Sequence, residues 1–180
     1  MPIMNMKPLR VVNETDVIPF FSLDTASGDM GQAVKITGSG WVNGVDLGYV
    51  NLFQNSDALS QRPYVQAQVT FGTSGNGAAE LLGILLWNVR EYNYLGVPMI
   101  YDRTRQAEAM AVASGEGVPI LTRGIVLISG YSGTAGAGSG ALVANGGTGV
   151  WTVTSSQSNS FGKFLGAADA DGFALFKLNL

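Results

Sequence analysis

The 180-residue chain contains no cysteine and no histidine. Those two absences exclude disulfides, thiol nucleophiles, zinc sites built on Cys or His, haem held by His, and every triad that needs an imidazole. Charge is also scarce. Charged residues make up 13% of the chain, about half of the ~25% usual for soluble domains, and the net charge is −3. No global basic field draws nucleic acid or an anionic membrane, so neither is expected as a partner. Long apolar runs are missing as well. Residues 81–87 form the longest candidate and contain Gly83, far short of the ~18 residues of a membrane span. The first residues, MPIMNMKPLRVV, hold no apolar run of signal-peptide length, so the chain is expected to be soluble and not exported by an obvious signal. A cysteine-free chain suits reducing and oxidising compartments equally.

Apolar residues reach 46%, enough for a core, and glycine is abundant at 25 of 180. The chain length favours one domain, with room for an arm. Sparse surface charge promotes association, which points to a surface covered by copies of the chain or by another protein. The alternative is a neutral surface of Gly, Ser, Thr and Asn.

Residues 1–30 differ from the remainder. Pro2, Pro8 and Pro19 favour extended backbone, and between them lie small apolar clusters: Ile3-Met4, Leu9 with Val11-Val12, Val17-Ile18 and Phe20-Phe21. One reading is an extended arm that lies on another subunit, anchored by Phe20 and Phe21 with Ile3 and Leu9. The other is a frayed terminus or a first edge strand. On the arm reading, deleting residues 1–20 abolishes partner binding and leaves the domain folded.

Residues 31–180 read as one β-rich domain. Over 64–71, Val65, Ala67, Val69 and Phe71 alternate with Tyr64, Gln66, Gln68 and Thr70, the period of a half-buried strand. In the last eight residues Ala174, Phe176, Leu178 and Leu180 oppose a face with Lys177 and Asn179, and Trp151 and Val153 oppose Thr152 and Thr154. The run 125–128, IVLI, predicts a strand buried on both faces. Asn43-Gly44 and Asp171-Gly172 predict hairpin turns, and Asn76-Gly77 and Asn145-Gly146 two further loops. One short helix is expected over 103–113, with Asp102 as N-cap and Gly115 as the stop. The fold class is mainly β: an antiparallel β-barrel or β-sandwich with one short helix and an extended N-terminal arm.

Chemistry-bearing motifs are weak. Residues 130–141, GYSGTAGAGSGA, approximate a dinucleotide fingerprint, but the chain continues as ALVANGGTGVWTV, which enters a strand where a helix is required. Asp169-Ala-Asp171-Gly172 resembles the start of a calcium loop, yet Phe173, Ala174 and Leu175 supply no further side-chain oxygens, and a turn is favoured. Serine lacks a GxSxG elbow, and no lysine stands in an S-x-x-K frame. No local feature lifts Asp24, Asp29, Glu91 or Asp102 above surface roles. The reading is therefore non-enzymatic, with no cofactor, no metal and no catalytic residue. Arg90, Arg103 and Arg105 amid Tyr92, Tyr94 and Tyr101 fit a nucleic-acid groove or a protein interface; the acidic total favours the interface, with Tyr92, Tyr94, Arg103 and Arg105 as contacts.

The order GILLWNVREYNYLGVPMIYDRTRQAEAM (83–110), GEGVPILTRGIVLISGY (115–131), a Gly-rich loop and SFGKFLGAADADGFALFKLNL (160–180) resembles the decoration, or cement, proteins of tailed-bacteriophage capsids. The resemblance covers roughly residues 80–180. It implies a structural virion protein, made in the host cytoplasm, that sits on the outer capsid surface. Members commonly form homotrimers and clamp neighbouring major capsid protein subunits to stabilise the shell. The alternative is a tail or receptor-binding β-module recognising host glycans, with Trp41, Trp87 and Trp151 as stacking candidates.

Overall fold

The computed structural model describes residues 3–9, 12–37, 67–73, 81–143, 147–155 and 160–179. The fold is mainly β. Its strands, in chain order, are β1 (Asn5–Pro8), β2 (Val17–Leu23), β3 (Ser27–Gly28), β4 (Ala33–Ile36), β5 (Gln68–Phe71), β6 (Leu81–Leu85), β7 (Asn88–Arg90), β8 (Ala111–Ala113), β9 (Gly117–Leu121), β10 (Arg123–Ser129), β11 (Gly140–Val143), β12 (Trp151–Thr154), β13 (Gly162–Phe164) and β14 (Ala174–Asn179). Among the described residues one α-helix, α1, spans Arg103–Glu108. Among the described residues, no helix is long and apolar enough to cross a membrane.

Among the described residues these strands form three sheets. β2-β5-β4-β6-β9 close into a small barrel, antiparallel except for the parallel β2–β5 pair. A six-stranded antiparallel sheet runs β1-β10-β14-β13-β11-β12. A third, β3-β7-β8, carries the loop and helix that form the candidate site. The six-stranded sheet packs on the barrel through a shared core in which Ala33, Ile84 and Leu121 meet Met6, Val126, Ile128, Phe164, Phe176 and Leu178. Five rings run through it: Tyr131 on Phe164 (4.9 Å), Phe164 on Phe176 (5.3 Å), Phe176 on Trp151 (5.2 Å) and Trp151 on Phe161 (6.5 Å). These tilted contacts suit aromatic quadrupoles. Trp151 is fully buried, and its indole N–H donates to the Gly31 carbonyl at 2.9 Å, so its polar atom is satisfied. Gly162 is required by the same core: a Cβ there would stand 2.7 Å from the Lys177 carbonyl oxygen and inside contact range of the Phe176 ring.

The period-two readings match where they are described. Ala67, just before β5, and Val69 within it are buried, with Gln68 and Thr70 exposed, and Ala174, Phe176 and Leu178 alternate inward from β14. The run 125–128 departs from expectation. Val126 and Ile128 are buried, but Ile125 is exposed and Leu127 half-buried, because the six-stranded sheet has a core on one side only. The helix is also shorter than expected. Met110 adopts a left-handed φ of 44°, and residues 111–113 pair in parallel with Asn88–Arg90 as β8. Ladder hydrogen bonds there outweigh the helix propensity of alanine. Residues Asn43-Gly44, Asn76-Gly77, Asn145-Gly146 and Tyr64–Gln66 lie outside the described residues.

The segment 1–30, read as an arm, meets a different placement where described. β1 is an edge strand of the six-stranded sheet, in register from Asn5↔Ser129 to Pro8↔Val126, with Met4 and Met6 buried in the core. β2 is a wall of the barrel, paired with β9 from Val17↔Leu121 to Ser22↔Gly117 and with β5. The edge-strand alternative therefore describes residues 5–8. Pro8 is tolerated at a sheet edge, and Pro19 falls in the irregular stretch of β2 between Ile18 and Phe21, where no ladder donor is needed.

Candidate interaction surface

The segment between β7 and α1 is a tight excursion held from inside. Asn93 is buried; its side-chain oxygen accepts from the Leu95 and Val97 amides (2.9 and 3.0 Å), and its Nδ2 donates to Asp102 Oδ2 (3.0 Å). The Asn93 amide donates to the Val97 carbonyl and the Gly96 amide to the Asn93 carbonyl, with Gly96 at a left-handed φ of 77° that the tight turn requires. Asp102 Oδ1 caps α1 by accepting from the Arg105 amide (3.2 Å). Gln106, the buried residue of α1, donates to the Met99 carbonyl at 2.8 Å.

This frame buries Met99 and leaves several other apolar side chains on the outside. Tyr94 is 77% exposed, Tyr101 73%, Leu95 65%, and Tyr92, Val97 and Met110 are exposed too. The Arg105 guanidinium stands 5.5 Å from the centre of the Tyr94 ring and pairs with Glu108 at 2.7 Å. The Glu108 hydrogen bond, then its charge, raises the Arg105 pKa above its ordinary value. Two clefts flank the excursion. One, of about 510 Å³, is lined by Arg90, Tyr92, Asn93, Tyr94, Met99 and Arg105 among others; the second, of about 420 Å³, by Asp24, Glu91, Tyr92, Pro98, Ile100 and Tyr101 among others. Arg90 is fixed beneath by Asp29 at 2.6 Å and by the Gly28 carbonyl.

The expected contact residues divide. Tyr92, Tyr94 and Arg105 come together on this excursion. Arg103 turns to Glu116, with 2.8 Å between Nη1 and Oε1; the contact is an ion pair rather than an aligned hydrogen bond. The Glu116 side chain is almost fully buried and its other oxygen accepts from the Ala113 amide at 3.0 Å, so Arg103 neutralises a structural carboxylate. Phe21 is corrected from anchor to core: it is 6% exposed and packs inside the barrel with Leu23, Val69 and Val118. Its neighbour Phe20 points outward, since adjacent residues on a strand face opposite sides. Ile3 and Leu9 are exposed at the two ends of β1, in a different sheet from the tyrosines. Leu95 and Val97 escaped the sequence reading, because nothing in GVP or NYLG marks an outward-facing aliphatic; Asn93 with Gly96 is the one signal of a pinned turn.

Of the stacking candidates, Trp151 is buried and hydrogen-bonded, so it is no sugar platform. Trp87 is exposed, and Trp41 lies outside the described residues. The Gly-rich segment after β10 leads directly into β11, within the stretch expected to be a glycine-broken loop, and is held to the sheet by Gly138 and Ser139 backbone bonds to Phe164. Asp169 accepts from the Asp171 and Phe173 amides (3.0 and 2.8 Å), the bonding of a turn. Among the described residues no three carboxylates gather as a metal site. No family model, curated protein or solved structure matches the chain.

Proposed function

We propose that this chain is a structural virion protein that binds the outer surface of an assembled tailed-phage capsid and stabilises the shell by clamping major capsid protein subunits, acting as a homotrimer and without catalysis. The observation that carries the reading is the rigid display of Tyr92, Tyr94, Leu95, Val97 and Tyr101 on a turn pinned by Asn93. Tyrosine anchors that are already ordered lose little entropy on docking, which is what a contact repeated over a lattice needs. The segments that carry the resemblance to cement proteins also adjoin in space: β14 lies between β10 and β13.

The test uses virions of the phage that encodes the chain. Mass spectrometry of purified particles should find it in stoichiometric amount. Shells depleted of it should rebind the purified protein, and Tyr94→Ala with Leu95→Ser should weaken rebinding ~100-fold, at about 1.4 kcal/mol per factor of ten. Absence from mature particles, or unchanged affinity of the double variant, overturns the reading. Glycan-array binding that Tyr94→Ala abolishes would replace it with the adhesin.

A further inference from the structure

Among the described residues, the outward face of the six-stranded sheet carries charge of one sign only. None of its six strands contains Asp or Glu, whereas Lys7, Arg123, Lys163 and Lys177 all stand exposed on it. Lys163 and Lys177 are direct partners in the antiparallel register of β13 and β14, and Ile125 is the partner of Lys177 on its other side. Arg123 lies two residues from Ile125, diagonal to Lys177. Directly opposed side chains are ~5 Å apart at Cβ and diagonal ones ~7–8 Å, and like charges directly opposite destabilise a sheet. Four of the chain's ten cations thus share one sheet in a protein of net charge −3. The carboxylates nearest to these cations in sequence are Glu14, Glu116, Asp169 and Asp171; Glu116 pairs with Arg103, and Asp169 is engaged in its own turn. Exposed Ile125 and Leu165 and half-buried Leu127 and Leu175 fill the face between the cations.

The complement is on the same molecule. The cleft of about 420 Å³ beside the tyrosine excursion presents the exposed carboxylates of Glu91 and of Asp24, whose Oδ1 accepts from the Ser114 hydroxyl at 3.1 Å, rimmed by Tyr92, Tyr101, Pro98 and Ile100. We propose that the basic, aliphatic sheet face of one copy docks head to tail on the acidic, tyrosine-rimmed cleft of a second copy. Such a contact joins two different surfaces, so it closes into a ring when the rotation per copy allows. It rests on the self-association in the proposed function and names the surfaces that make it. A single-stranded nucleic acid fits less well, because the face offers aliphatic side chains where bases need aromatic ones to stack on.

Sedimentation velocity of the full chain tests the contact. Assembly should weaken between about 0.1 M and about 1 M salt, as the screening length falls from ~10 Å to ~3 Å. Lys163→Glu should weaken it ~10-fold or more while raising the melting temperature, because it converts a like-charge pair into an attractive one. Loss of assembly then cannot be ascribed to unfolding. Asp24→Lys with Glu91→Lys should weaken it similarly, and the fourfold exchange that adds Lys163→Glu and Lys177→Glu should restore it. A chain that is monomeric at low salt overturns the proposal, as does an oligomer indifferent to Lys163→Glu. A monomer that binds a fluorescent oligothymidylate until Lys163→Glu releases it assigns the face to nucleic acid instead. Shell rebinding is scored separately: a monomer that still saturates shells overturns this contact alone, and an assembled chain absent from virions overturns the capsid reading alone.

Discussion

Deleting residues 1–9 removes β1, and the structure sets what that costs. Met4 and Met6 are buried in the core shared by the sheet and the barrel, and Asn5 to Pro8 are in register with Ser129 to Val126. Burying a methionine contributes ~1.5–3 kcal/mol, so the pair is worth ~3–6 kcal/mol as an upper estimate from an extended unfolded chain. Total stability of a domain is typically ~5–15 kcal/mol, so the truncation consumes a large part of it. At ~2–4 °C per kcal/mol for a chain of this size, the melting temperature should fall by roughly 6–24 °C. β10 would also become a new sheet edge, open to pairing with other chains. Circular-dichroism melts of the full chain and the truncated one read the shift, and Met6→Ser separates lost packing from lost strand pairing. Deleting residues 1–20 goes further, because Val17 and Ile18 of the barrel wall go with it, and should leave no cooperative transition. If the truncated 10–180 chain melts within ~2 °C of the parent, β1 is no part of the core and the segment is an arm after all.

Trp151→Ala should lower stability by ~3–5 kcal/mol, the range for emptying a fully buried aromatic site, read by urea denaturation; a loss below ~1 kcal/mol contradicts its place at the centre of the ring chain. Gly162→Ala should cost ~1–3 kcal/mol by forcing Phe176 and the β14 backbone aside, and an unchanged denaturation midpoint would show that the sheet yields freely. Arg103→Ala should cost ~1–2 kcal/mol, a value discounted for an arginine 64% exposed, with Glu116→Gln costing less because it removes the stranded charge; equal losses would refute the ion-pair account. Burial, then the nearby Asp169, raises the Tyr131 pKa above its ordinary value. Its stabilising contribution is therefore complete below about pH 10 and lost as pH rises through the folded value, so phenolate absorbance should show a late-titrating component that Tyr131→Phe removes.

The fold is most legible in the sequence where one face of a strand is buried and the other wet. Alternation in 174–178 and 67–70 carries through to burial, because a one-residue slip would move every apolar side chain to solvent. The run 125–128 misleads because four consecutive apolar residues look the same whether or not the second face is covered. Residues 103–113 mislead for a related reason: alanine favours a helix locally, and nothing local reveals that 111–113 lie beside β7. Proline spacing in 1–30 suggests an arm, though edge strands and bulges tolerate proline as readily as arms do.

Composition singles out the tyrosines and arginines around residues 90–105 but cannot apportion them. Arg103 and Arg105 are two residues apart, and helix geometry sends them to different partners. One neutralises a buried carboxylate; the other lies against an exposed ring. Phe20 and Phe21 separate in the same way across a strand, one into the barrel and one into solvent. The basic sheet face lies further still from what a sequence displays, since Lys7, Arg123, Lys163 and Lys177 are spread over most of the chain and acquire a common field only through strand register. Each of those lysines reads alone as an ordinary solvated charge. A directly opposed pair without an intervening carboxylate is different, because it lowers the stability of the free protein and is relieved only by negative charge from outside the sheet. That relief can come from counterions or from a second surface, and Lys163→Glu distinguishes them: both predict a more stable monomer, but only the second predicts a weaker assembly.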